Sequence, residues 1–129
     1  MTQNFQGGVV WLAAAEGEAH MFAVPSGQSV MLQDVFWEEG DSLVLRVRFL
    51  TPQISRAGGT IDYDTAAIDM LHLCETYVIP QLAESAEIPD QIILSFSDIN
   101  VPFGEADPAA TQFFEAYSIE NNACIWEVY

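Results

Sequence analysis

The chain has 129 residues, half of them apolar and 12% aromatic, with 19 acidic side chains against three basic ones and a formal charge of −16. That size fits one domain around a single core, and the aromatic and branched content excludes a disordered acidic tail. Arg46, Arg48 and Arg56 are the only bases and lysine is absent, so the cationic footprint needed for direct capture of nucleic acid or an anionic membrane is missing.

The uncharged run Val9-Val10-Trp11-Leu12-Ala13-Ala14-Ala15 is far short of the ~20 residues of a membrane-spanning helix. It has the length of a signal-peptide apolar region, and Gly17-Glu18-Ala19 ahead of His20 is a small-x-small cleavage pattern. Met1 to Gly8 carries no Lys or Arg. Residues 1–19 therefore read either as a loose arm or short edge strand, or as the remnant of an export signal whose basic start lies upstream. Residues 20–129 contain no repeat, linker or low-complexity tract and read as a single α+β domain.

Pro25-Ser26-Gly27 is a turn, and Ser29 to Glu38 is rich in branched and aromatic residues, as strands are. Glu38-Glu39-Gly40-Asp41 turns the chain into a second strand, Leu43 to Leu50, so the two form a hairpin. In that strand Leu43, Leu45, Val47 and Phe49 share one face and Arg46 and Arg48 the other, the alternation of a sheet buried on one side. Asp62 or Asp64 caps a helix to about Val78. Its apolar stripe is Ala67, Met70, Leu71, Cys74, Tyr77 and Val78, with Asp69, His72, Glu75 and Thr76 largely off it. Pro80 kinks or restarts the helix. Gln91 to Ser97 is a third strand, and Asp98 to Pro108 a loop. Thr111 to Ile119 and Ala123 to Tyr129 make a second hairpin around Glu120-Asn121-Asn122, since asparagine tolerates positive φ. A competing helix over Pro108 to Tyr117, capped by Asp107, is the less favoured reading. Cys124, Trp126 and Val128 fall on the apolar face of the last strand, so both cysteines point at the interface of helix and sheet. The expected fold is an antiparallel sheet of two hairpins plus a central strand, covered by one main helix.

The segments VPSGQSV (Val24 to Val30), CETYVIPQL (Cys74 to Leu82), FGEADPAATQFFEAY (Phe103 to Tyr117) and ACIWEVY (Ala123 to Tyr129) resemble an uncharacterised family of small acidic alphaproteobacterial proteins. Members often begin with a signal peptide and have no assigned activity. The resemblance covers roughly residues 20–129 and implies a fold and a periplasmic or secreted location rather than a chemistry.

Cys74 and Cys124 fit one disulfide in an exported chain and two buried thiols in a cytosolic one, and the resemblance to exported proteins favours the bridge. Neither belongs to a C-x-x-C motif, and His72 is two positions from Cys74 on another helix face, so no cysteine nucleophile is expected. There is no G-x-S-x-G, and Ser26 is a turn residue. Asp69 and His72 offer only two metal ligands and read as a solvated helix face, with His72 interacting with Asp69 and Glu75. No carboxylate pair stands out among the 19 acids. No catalysis, metal or cofactor is expected. Arg46 and Arg48 lie about 7 Å apart on one strand face. They could contact an anion or a partner, but pairing with Asp34, Glu38 or a carboxylate of the C-terminal hairpin is the favoured reading.

The acidic excess suits solubility, or docking to a partner protein with a basic surface, ahead of imitation of DNA phosphates. The sequence thus points to a non-catalytic, exported binding domain. The alternative is a cytoplasmic DNA mimic of the anti-restriction or anti-CRISPR type, which blocks a basic nucleic-acid-binding surface.

Overall fold

Strict alternation in LVLRVRFL places Leu45, Val47 and Phe49 in the core and turns both arginines to the opposite face. In a computed structural model, which describes residues 21–128, this segment is β2 (Leu43–Leu50), paired antiparallel with β1 (Met31–Glu39) across a bulge between Leu32 and Asp34. The expectations for residues 1–19 and for Tyr129 lie outside the described residues.

After β2 the chain makes a short turn of 3₁₀ helix, Pro52–Ile54, and folds back on it, with the Gly59 and Ile61 N–H groups donating to the Ser55 and Gln53 carbonyls. A Cβ on Gly59 would lie 2.2 Å from the Ser55 oxygen, so only glycine fits there. Helix α1 (Tyr63–Leu73) follows, its first turn closed by the Asp62 side chain accepting from Thr65 N–H at 3.0 Å. Those Thr65 hydrogen bonds hold the Asp62 carboxyl below its ordinary value. One wide π turn, Cys74–Val78, then leads into a last helical turn, α2 (Ile79–Leu82). Pro80 has no N–H to give to the carbonyl four residues back, and the helix meets it at the start of α2 rather than in an unbroken α ladder.

A helix between two strands carries the chain across the sheet, so the next strand runs the same way as the one before it. This is where the all-antiparallel expectation fails: β3 (Gln91–Ser97) pairs parallel with β2, Leu45 beside Ile92 and Phe49 beside Phe96. The rest is antiparallel. β4 (Gln112–Glu120) pairs with β3 and β5 (Ala123–Glu127) with β4, giving the order β1-β2-β3-β4-β5. The β4–β5 turn is Asn121-Asn122 with φ of +52° and +63°, the left-handed pair that a two-residue hairpin loop requires. Pro108 to Tyr117 is therefore not a helix, and β3 is central, as expected.

Between helix and sheet, Ala66, Met70, Leu73, Cys74 and Val78 pack on Leu45, Val47, Phe49, Ile92, Leu94 and Phe96. Phe49 and Phe96 meet edge to face at 6.0 Å, with Phe22 closing over Phe49 at 5.5 Å. The buried arc of α1 is rotated from the expected stripe: Leu71 is exposed, and Asp69, assigned to a solvated face with His72, is 0% exposed. Its carboxylate accepts from Ser26 N–H at 3.0 Å, from the Ser26 hydroxyl and from Gln28 Nε2 at 2.7 Å. The helix thus packs its acid against the Val24–Gln28 turn, which satisfies a buried charge with three donors. Cys74 and Cys124 are bridged, with Cα atoms 6.3 Å apart. The bond staples the π turn to the edge strand β5.

Candidate functional site

Arg46 and Arg48 stand on the sheet face away from the helix, where each finds an acid on β1. Arg46 Nε donates to Glu38 Oε1 at 2.7 Å, and Arg48 Nη1 to Asp34 Oδ2 at 3.0 Å. Register explains the choice, because Asp34 lies opposite Arg48, whereas Glu38 is two residues along from Phe36, which opposes Arg46. The loop after β3 then folds over them: the Val101 carbonyl accepts from Arg48 Nη2, and the Phe103 ring covers both guanidinium groups at 4.9 and 5.6 Å. Arg48 ends only 6% exposed. A cleft of about 260 Å³ remains beside them, lined also by Ser95, Glu105, Gln112 and Phe114. With Asp34, Glu38 and Glu105 near the two arginines, its charge does not favour an anion, and the guanidinium groups act chiefly to fasten loop to sheet.

The other concavity lies between α1 and the C-terminal hairpin, and the sequence reading did not single it out. Tyr63, Ala67, Ile68 and Leu71 form its helical wall, and Tyr117, Glu115 and Trp126 its sheet side, enclosing about 320 Å³. Strand alternation carries Glu115 and Tyr117 of β4, and Trp126 of β5 opposite Tyr117, to the helix-covered face. The helix lies over the middle of the sheet and stops short of this edge. Trp126, expected in the core with Cys124, is consequently 61% exposed, and Val128 is exposed too; Ile68 is 62% exposed. Beneath them Glu115 is 2% exposed, accepting from the Tyr63 hydroxyl on one oxygen and from Trp126 Nε1 on the other. Tyr63 is held edge to face on Phe113 at 5.4 Å. The sequence does carry a signal for this groove. Tyr63, Ala67 and Leu71 repeat every four residues beside the core row, an apolar arc wider than the sheet can cover.

Burial, with the negative charges of Glu115 and Glu75 adding to it, pushes the Tyr117 hydroxyl well above its ordinary value. Burial alone pushes Tyr77 up to about 12. Both rings stay neutral structural members at physiological pH. Of the two acids expected beside His72, Asp69 turns inward to Ser26 and Gln28 and Glu75 accepts from the Cys124 N–H at 3.3 Å, while the His72 carbonyl accepts from the Thr76 hydroxyl at 2.8 Å. Among the described residues no group of three or more His, Cys, Asp or Glu is placed to hold a metal ion, and no helix is long and apolar enough to cross a membrane.

A family model described as a family of unknown function (DUF6497) matches residues 8–129. The chain belongs to this family. No curated protein and no solved structure matches it.

Proposed function

Membership of a family without an assigned activity implies no chemistry, and we propose from the geometry that the chain is a non-catalytic interaction domain of an oxidising, extracytoplasmic compartment. Its docking surface is the groove between α1 and β5. One observation carries this reading: Tyr63, Ile68, Leu71 and Trp126 are all exposed large apolar side chains, and they line a single concavity. Scattered exposed apolar residues are ordinary, but a cluster containing Trp and Tyr is the composition of a protein-binding hot spot. The Cys74–Cys124 bridge supports export, because such bonds persist where thiols are not kept reduced. The charge supports an interaction partner with a basic surface, and association with it would be accelerated by the field of the acids. Against DNA mimicry, Asp69, Asp98 and Glu115 are buried and Asp34 and Glu38 are paired internally, so these carboxylates are not free to imitate a phosphate row.

A photo-crosslinking side chain placed at Ile68 in the source cells tests the reading, with the same group at Glu39 on the far sheet edge as control. A discrete adduct from position 68 alone is expected. Equal labelling from both positions, or none from either, would overturn it.

A further inference from the structure

The groove does not end in a purely apolar floor. Glu115 sits there at 2% exposure with both oxygens engaged by neutral donors, the Tyr63 hydroxyl and Trp126 Nε1, and with no ion pair among the described residues. The basic side chains of the chain are committed elsewhere: Arg46 to Glu38, Arg48 to Asp34, and Arg56 to the Pro108 carbonyl. A carboxylate shielded from water retains most of its field when its partners carry no charge. Around it stand aromatic rings, whose faces attract cations, most strongly when the ring is indole. A phenol or indole that donates to a carboxylate carries extra electron density, which strengthens that attraction.

We propose that the groove receives the lysine or arginine side chain of a partner protein, its cationic head held between the Tyr63 and Trp126 rings toward Glu115. The aliphatic stem lies along Ala67, Ile68 and Leu71, as long basic side chains bury their methylenes on apolar surface. Exposed acids at both ends of the helical wall, Asp64 and Glu75, favour further positive charge on the same segment of the partner. This rests on the groove being the docking surface and adds the chemistry of what enters it.

The disulfide-intact protein at ~0.15 M salt, where diffuse attraction to its acidic surface is screened, is titrated with n-butylguanidinium and n-butylammonium, and with 1-pentanol as a neutral probe of similar length. The Ile68 and Leu71 methyl resonances report occupancy. Both cations should saturate, binding about tenfold more tightly than the alcohol, as expected when a cation meets aromatic faces in a partly desolvated site. Glu115→Gln should reduce the preference for cations to about threefold or less without weakening the alcohol. If that variant does not fold, Trp126→Leu removes the indole face and should abolish the same preference. The alcohol binding as tightly as the cations would overturn the cationic assignment while leaving an apolar docking groove in place. Cation shifts unchanged in Trp126→Leu, or absent from these methyls, would overturn it as well. Cation selectivity in vitro without a crosslinked partner in cells would instead count against the docking reading.

Discussion

Reducing the Cys74–Cys124 bond should cost this domain a large share of its stability. The bond closes a loop with a sequence separation of 50. In the chain-entropy description that loop removes roughly 14 cal/mol/K from the unfolded ensemble, or about 4 kcal/mol at room temperature. Unfolding entropy near the midpoint is about 2 cal/mol/K per residue, so a domain of this length should melt about 15 °C lower once reduced. The structure also says where the loss begins. Among the described residues β5 is an edge strand paired with β4 alone, and the π turn at Cys74–Val78 already lacks the regular helical ladder. Thermal melts followed by circular dichroism, with and without a phosphine reductant, give the magnitude. Hydrogen exchange should show protection lost first in Ala123–Glu127 and in the π turn. A reduced protein melting within about 3 °C of the oxidised one would refute the reasoning, because it would mean that the unfolded chain gains little freedom from opening the loop.

Asp69→Ala should destabilise by about 3 kcal/mol, read from chemical denaturation, since it strands the Ser26 N–H, the Ser26 hydroxyl and the Gln28 amide beside a new void. Arg48→Ala should cost about 2 kcal/mol and Arg46→Ala about 1, because Arg48 is the more buried and also satisfies the Val101 carbonyl; equal effects in the same denaturation assay would contradict this. Tyr77 is raised above its unfolded value of 10 to about 12, so between those limits the folded state holds a proton that the unfolded state has lost. Stability from this ring is therefore complete below pH 10 and falls as pH rises toward 12. Tyr117 is shifted in the same direction, so denaturant midpoints should decline above pH 10, and absorbance titration should show these two phenols ionising late.

Periodicity along single elements was enough to locate the strands, the helix and the arginine face, because alternation of two and spacing of three to four are set by the local backbone. Asn121-Asn122 likewise marks its hairpin through what asparagine tolerates at positive φ. Cys74 and Cys124 follow from the same periods, which aim both at one interface. Tertiary structure decided what no single element can contain. The parallel β2–β3 pair arises from the path of the helix over the sheet, which depends on where the chain lands and not on the content of either strand. The phase of α1 was settled by its neighbours: Asp69 is buried because the Val24–Gln28 turn brings three donors to it from more than forty residues away. Trp126 has the alternation of a core residue and is nevertheless exposed, since burial requires something to lie on top and α1 covers the middle of the sheet but not its β5 edge. The groove exists only through that shortfall. Its acid, Glu115, is one carboxylate among many in the sequence, and becomes distinctive only where the fold seals it beneath two rings.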